Sequence, residues 1–221
     1  MTFDDEIAGV LAPLADPARA VAMRAYMLDQ FAFLGLPAPV RRAAAKPLVA
    51  RPWASPHALL EAAGRLWQRP EREYRYTAID LLARHRRMLS PAHVADLRAL
   101  LVMDPWWDTV DGLAGVLGEV LFADRTAGQP MMDAWIADAS FWVRRAAMLH
   151  QLGWRLETDR DRLFGYAAAL AAEQEFFIRK AIGWALRDYA RWDGAAVRAF
   201  VAAHEDVLSS LSRREALKHR A

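Results

Sequence analysis

The chain has 221 residues, of which 55% are hydrophobic, and its formal net charge is +2. It contains no cysteine, which excludes a disulfide scaffold, a cysteine nucleophile and thiolate metal ligands, and which fits a reducing cytoplasm. The first ten residues carry three acids where a signal peptide would carry positive charge, and no apolar run approaches the roughly 18 residues of a membrane span. We therefore expect neither export nor membrane insertion.

Apolar residues recur every three or four positions, and period-two runs of β-branched residues are missing, so the pattern predicts an all-α protein. Four helix starts pair a capping residue with a proline: Asp16–Pro17, Ser55–Pro56, Ser90–Pro91 and Asp104–Pro105. In chain order we predict helices at about 3–12, 17–31, 39–50, 56–68, 71–87, 91–102, 105–123, 130–138, 140–152, 159–172, 175–190 and 194–204, with a short one near 212–219. The connections are short, so we expect a single domain over residues 1–221.

Aromatic pairs open three of these helices at intervals of 35 residues: Trp106–Trp107, Phe141–Trp142 and Phe176–Phe177. Basic doublets follow at the same interval, Arg144–Arg145 and Arg179–Lys180. A period of this length is one helix pair per repeat, and such pairs stack into a curved solenoid. The sequence therefore predicts an α-solenoid whose concave surface is lined by the same helix of each repeat.

The helix at 175–190 carries Lys180, Trp184 and Arg187 along one stripe. Trp184 either packs into the helix stack while its charged neighbours extend past it, or forms an aromatic platform in a cationic groove. The second arrangement suits nucleic acid, because cations meet the phosphates and the ring meets a base or sugar.

Trp107 and Asp111 are four residues apart and share a helix face, on which Ala114 or Gly115, and then Gly118, should leave open room. Asp108 lies in the first turn, where an acid complements the helix dipole. Asp111 is too deep to cap the helix. It either forms a salt bridge to an arginine of a neighbouring helix or presents a carboxylate to the groove, where something positive must be met.

At these residues the sequence resembles the AlkD-like bacterial DNA alkylation repair glycosylases, a HEAT-like helical-repeat family. The matching stretches cover most of the chain: "YMLDQFAFLGLPAPVRR" (26–42), "EREYRYTAIDLL" (71–82), "WWDTVD" (106–111), "FWVRRAAMLHQL" (141–152), "EFFIRKAIGWALRDYAR" (175–191) and "LSRREALKH" (211–219). The resemblance implies a monofunctional N-glycosylase that excises cationic N3- and N7-alkylated purines from double-stranded DNA. It also implies that the damaged base need not be flipped into a pocket, contrary to the general rule for glycosylases.

The same resemblance assigns roles to single residues. Asp111 corresponds to the catalytic carboxylate, and Trp107 and Trp184 to the aromatic residues that flank it. Tyr26 corresponds to a tyrosine of the DNA cleft and Arg145 to an arginine that contacts the DNA backbone, while Arg144 makes that helix more basic. Some relatives lack the carboxylate and are thought to bind without catalysis, and the presence of Asp111 argues against that subgroup.

No paired metal-ligand spacing occurs among the six histidines, and His150 is expected to pack within its helix. We therefore expect no metal and no cofactor, and a monomer that acts in the cytoplasm at the nucleoid. The alternative is a non-catalytic helical-repeat module that binds DNA or protein. Only the glycosylase would release free base and lose that activity when Asp111 is replaced.

Overall fold

The computed structural model describes residues 1–218, and within them the chain forms helices joined by short connections, with no β-strand beyond one isolated bridge between Ala32 and Glu71. The prediction of an all-α fold is confirmed. The chain divides into two compact units, Met1–Leu89 and a second that begins at Ser90. A single domain over residues 1–221 stays a prediction.

The helix bounds follow the predicted order closely. The first unit contains α1 (Phe3–Leu11), α2 (Pro17–Tyr26), α3 (Ala38–Val49), α4 (Pro56–Trp67) and α5 (Arg72–Arg84). The described part of the second unit contains α6 (Val94–Leu101), α7 (Trp107–Ala123), α8 (Arg125–Trp135), α9 (Phe141–Leu149), α10 (Arg160–Ala169), α11 (Phe176–Ala190), α12 (Gly194–Ala203) and α13 (Ser210–Ala216). The closing helix was predicted to reach residue 219, which lies outside the described residues.

Side-chain caps explain the helix starts that were predicted correctly. Asp16 accepts a hydrogen bond from the Arg19 amide at 3.0 Å, and Ser55 accepts one from the Ala58 amide at 3.2 Å. Each cap satisfies one of the amide groups that the first turn of a helix leaves unpaired. The proline that follows each cap has no amide to satisfy, so the pair fixes the first residue of α2 and of α4.

Other boundaries were predicted wrongly. Asp104 does not begin α7: its backbone φ is +45°, and the helix starts at Trp107 with Trp106 as the capping residue. Ser90 and Pro91 open a 3₁₀ turn over 91–93 before α6, and α2 ends at Tyr26 rather than near residue 31. Helix α8 begins at Arg125 after a cap by Asp124, so the glycine and proline at 128–130 lie inside a helix and do not precede it.

Alternate helices pack side by side in each unit. In the first unit α1 contacts α3, and α3 contacts α5. In the second unit α7 contacts α9, α9 contacts α11 and α11 contacts α13, while α8, α10 and α12 form the intervening helices. This is the arrangement that a repeat of one helix pair produces. The 35-residue period is thus expressed as a row of equivalent helices, whereas the concave basic groove stays a prediction.

Two glycines allow helices of this row to approach closely. A Cβ at Gly118 would lie 2.0 Å from the carbonyl oxygen of His150, and a Cβ at Gly183 would lie 2.5 Å from the Cβ of Glu215. The expectation that Gly118 leaves open room is wrong, because this glycine is buried against the end of α9. Gly115 fits the expectation: it is exposed, and nothing lies within 4 Å of the place of its Cβ.

No helix among residues 1–218 combines the length and the apolar character that a membrane crossing requires.

The two glycines of α7 predict opposite effects of alanine. Gly118→Ala should lower the free energy of unfolding by about 1–3 kcal/mol or more, because the methyl group forces α7 away from His150. Gly115→Ala should raise it by up to about 1 kcal/mol, because alanine favours the helix and meets open space. Urea unfolding followed by circular dichroism measures both, and equal midpoints for the two variants would contradict the packing described.

Candidate active site

An aromatic cluster fixes the start of α7. The Trp106 ring lies 5.7 Å from the ring of Trp142 and 5.2 Å from that of Phe177, and these two rings lie 4.9 Å apart. The three residues stand at the starts of α7, α9 and α11, so the aromatic pairs that recur in the sequence meet in space. Trp106 therefore packs against rings from both neighbouring helices of the row.

Trp107 and Asp111 follow on α7, one turn apart and both half-buried. Residues four apart on a helix share a face, so the indole and the carboxylate are neighbours. Gly115 stands one further turn along, where it is exposed and has no side chain to cover the surface. The helix face is therefore open beyond the carboxylate.

Arg145 of α9 holds Asp111 through two parallel hydrogen bonds. Its Nε donates to Oδ1 and its Nη2 to Oδ2, each at 2.7 Å, while Nη1 donates to the Phe177 carbonyl oxygen. The Arg145 side chain is 1% exposed and that of Asp111 is 24% exposed. The guanidinium thus lies beneath the carboxylate. The salt bridge to a neighbouring helix is the contact observed for Asp111, and part of the side chain stays exposed.

The protonation of Asp111 is set by opposing effects. Burial raises the pKa of Asp111 above its ordinary value, and the nearby charge of Asp108 raises it further. The hydrogen bonds and charge of Arg145 oppose this shift without cancelling it. The carboxylate is consequently easier to protonate than an ordinary aspartate, although the two-point pairing with Arg145 requires its ionised form.

Trp184 of α11 completes a contiguous group with Arg145 and Asp111. The Arg145 Cζ lies 5.4 Å from the Trp184 ring centroid, and the Lys180 Nζ lies 5.3 Å from it. Cations at this distance are attracted by the negative face of an indole. The half-buried Trp184 ring therefore already contacts two positive groups, Arg145 and Lys180.

The two cations that flank Trp184 along α11 are both bound by Glu215 of α13. Glu215 Oε1 lies 3.1 Å from Lys180 Nζ, and Oε2 lies 2.8 Å from Arg187 Nη1. The hydrogen bond from Lys180 lowers the pKa of Glu215 below its ordinary value. Because Gly183 brings α13 close to α11, this carboxylate reaches both partners. The predicted cationic stripe is thus partly neutralised where it passes Trp184.

The remaining predicted DNA-binding residues lie in different surroundings. Arg144 is mostly buried: its Nε lies 2.8 Å from Glu173 Oε1, and its Nη1 donates to the Asp138 carbonyl oxygen at 2.7 Å. Tyr26 belongs to the first unit, where it ends α2 and is 73% exposed. DNA contacts by these two residues, and by Arg145, Lys180 and Arg187, stay predictions.

Sequence reasoning missed three partners of the site: Glu215, Glu173 and the carbonyl group of Phe177. The sequence does contain a signal for Glu215, because Lys180 and Glu215 are 35 residues apart, which is the repeat period. Asp111 and Arg145 are separated by 34 residues in the same way. A search for opposite charges one repeat apart would have found both pairs.

Within the described residues, no three His, Asp or Glu side chains are grouped so that they could hold a metal ion. His150 packs at the end of α9, with its ring 5.3 Å from that of Trp154, and burial lowers the pKa of His150 to about 4. The expectation that His150 is a packed residue is confirmed.

Comparisons with known proteins identify the family and the fold. A family model described as "DNA alkylation repair enzyme" matches residues 7–219. A solved structure described as a "Predicted DNA alkylation repair enzyme from Enterococcus faecalis" is 34% identical, with a TM-score of 0.86 over 94% of this chain and 97% of its own. A search of curated proteins found no match.

Two structures from Streptococcus mutans share the fold at lower identity. AlkD2 is 15% identical, with a TM-score of 0.64 over 98% of each chain, and smu.31 is 14% identical, with a TM-score of 0.65 over the whole of each chain. These two structures show the helical-repeat fold alone, whereas the family is shown by the family-model match and by the structure that is 34% identical. The chain belongs to the DNA alkylation repair enzyme family.

Proposed function

We propose that this protein is an N-glycosylase that releases cationic N3- and N7-alkylated purines from double-stranded DNA, without base flipping, metal or cofactor. The family assignment supports DNA alkylation repair as its role. The observation that carries the finer proposal is the Asp111 side chain, which Arg145 holds through both carboxylate oxygens, which is still 24% exposed, and which has Trp107 one turn before it and Trp184 against its arginine partner.

The reaction needs little acid catalysis. An alkyl group on N3 or N7 gives the purine a positive charge, so the bond between the sugar C1′ and purine N9 breaks with its electron pair moving to N9. The purine leaves neutral and the sugar becomes an oxocarbenium cation. Water then adds to C1′ and loses a proton, which gives an abasic site and the free base. A carboxylate beside C1′ stabilises the cation and can orient the water.

The Arg145 pairing sets the size of this stabilisation. A carboxylate about 4 Å from a unit positive charge attracts it by about 4 kcal/mol at an effective dielectric constant of about 20, and a guanidinium about 8 Å away repels it by about 2 kcal/mol. The pair therefore stabilises the cation by about 2 kcal/mol, roughly 30-fold in rate. Trp107 and Trp184 add cation–π contact of about 0.5–2 kcal/mol each.

Replacement of Asp111 should lower the rate of base release by more than the roughly 30-fold that the Asp111–Arg145 pair contributes. In Asp111→Asn the buried Arg145 charge is no longer balanced, so the site changes from about 2 kcal/mol attractive to about 2 kcal/mol repulsive, a loss of roughly a thousandfold. The same unbalanced charge should lower the free energy of unfolding by about 3–5 kcal/mol. The measurement is release of 7-methylguanine and 3-methyladenine from methylated duplex DNA, at a temperature at which circular dichroism shows each variant folded.

A double variant separates catalysis from stability. Asp111→Asn with Arg145→Met removes both charges, so the free energy of unfolding should return most of the way to that of the wild-type protein. Base release should rise above that of Asp111→Asn and stay roughly 30-fold below wild type, because the attractive pair is gone. Wild-type activity in this double variant would rule out a catalytic carboxylate. DNA binding by the wild type without base release would favour the non-catalytic module.

The raised pKa of Asp111 predicts an acidic limb in the activity profile. Base release requires the carboxylate, so it should fall on acidification with a midpoint above about 3.9, the ordinary value for aspartate. The negative charge of Asp108 raises the pKa of Asp111, so Asp108→Asn should move the midpoint to lower pH and leave the rate above the limb unchanged. Release is measured against pH with the enzyme-free background subtracted. A midpoint unmoved by Asp108→Asn would contradict this assignment.

A further inference from the structure

The cations beside the candidate active site are already paired with carboxylates of the same chain. Arg145 is committed to Asp111, Lys180 and Arg187 to Glu215, and Arg144 to Glu173. Binding to the DNA backbone requires cations that can approach phosphate oxygens and displace their counterions. Cations without carboxylate partners are therefore the groups to look for elsewhere on the chain.

Such cations line a cleft in the first unit, between the neighbouring helices α3 and α5. The cleft has a volume of about 270 Å³. Its charged wall residues are Arg42 and Lys46, one turn apart on α3, and Asp80 and Arg84, one turn apart on α5. Three cations thus face one carboxylate in a space large enough for a tetrahedral anion with part of its hydration.

The single carboxylate of this cleft is already occupied. Asp80 Oδ2 lies 2.8 Å from Nη1 of Arg41, whose side chain is 3% exposed and which also donates to Thr77 Oγ1 at 3.1 Å. The same oxygen lies 3.3 Å from Nε of Arg42, whose side chain is 64% exposed. Among residues 1–218, Lys46 and Arg84 have no ion-pair partner. The balance of charge in the cleft is therefore positive.

The residues around Asp80 are arranged like those around Asp111. Tyr76 precedes Asp80 by one helical turn as Trp107 precedes Asp111, and the buried Arg41 lies with its Cζ 5.7 Å from the Tyr76 ring. In both places a buried arginine of a neighbouring helix holds a half-exposed aspartate. At Asp80, however, unpartnered cations surround the pair, so the cleft attracts an anion where Asp111 attracts a cation.

We propose that the cleft between α3 and α5 binds a phosphate group of the DNA backbone, with Lys46, Arg84 and Arg42 as the contacting cations and Asp80 positioning Arg42. This rests on the proposed function only in taking DNA as the partner. Lys46 and Arg84 also stand in the last turns of their helices, where any cation complements the dipole. Compensation of the helix dipole does not require Lys46 and Arg84 to face one cleft. Dipole compensation and phosphate binding therefore make different predictions.

The test compares the double variant Lys46→Ala, Arg84→Ala with a control that loses the same net charge, Arg19→Ala, Arg160→Ala. Both control arginines are about half exposed and lie outside the cleft. Binding of unmodified duplex DNA is measured by fluorescence anisotropy at several salt concentrations. The cleft variant should bind at least tenfold more weakly at low salt, and its plot of log affinity against log salt should be less steep by about 1–2. The control should keep the wild-type slope.

Further measurements distinguish failure of the cleft assignment from failure of the proposed glycosylase function. Base release by the cleft variant should keep its wild-type rate at saturating DNA and need more DNA for half-saturation. A salt slope equal to that of the control, with only a stability change, would overturn the proposal in favour of dipole compensation. Saturable binding of inorganic phosphate with an unchanged DNA slope would overturn the DNA backbone as the ligand. A wild type that releases no base while the slope changes as expected would refute the glycosylase and leave the cleft assignment standing.

Discussion

The burial of one guanidinium determines the geometry of the candidate active site. Arg145 is almost fully removed from water, and a buried charge is stable only when it is paired and its donors are satisfied. Asp111 from α7 and the Phe177 carbonyl group from α11 meet these requirements together. Three helices must therefore be in register before the arginine can be accommodated. The same requirement bonds both carboxylate oxygens of Asp111 to Arg145, while 24% of the Asp111 side chain stays exposed.

The period of the sequence is also the separation of its principal polar contacts. Asp111 and Arg145 are 34 residues apart, Lys180 and Glu215 are 35, and Asp133 and Tyr166 are 33. A helix-pair repeat places residue i beside residue i+35 of the next equivalent helix, so charges repeated at that spacing are brought into contact. Aromatic residues obey the same rule at the starts of α7, α9 and α11. The stripe of Lys180, Trp184 and Arg187 on α11 is in this way joined by Glu215 from the neighbouring helix α13.

The helices were predictable because their signals are local. Apolar spacing marked their bodies, and Asp16 and Ser55 marked two starts that the backbone adopts. Failures occurred where packing overrides local preference. Pro130 lies inside α8 after a cap at Asp124, and Asp104 takes a positive φ instead of capping α7. At the candidate site, spacing and resemblance predicted roles for Trp107, Asp111 and Trp184, and these roles stay predictions. The commitment of Lys180 and Arg187 to Glu215 was not predicted, because it depends on the close approach of α13 at Gly183.

If DNA binds over Asp111 as proposed, the carboxylate raises a difficulty, because it repels every phosphate that approaches. The buried arginine beneath Asp111 removes most of this penalty. At about 12 Å, with a dielectric constant of about 20, the carboxylate contributes about 1.4 kcal/mol per unit charge and a guanidinium about 4 Å behind it cancels about 1 kcal/mol of that. At about 4 Å the cancellation is only half. The pair is therefore nearly neutral to a distant backbone and negative to a sugar cation in contact. A neutral aspartic acid would be equally harmless to DNA, but it would have no charge to offer at short range.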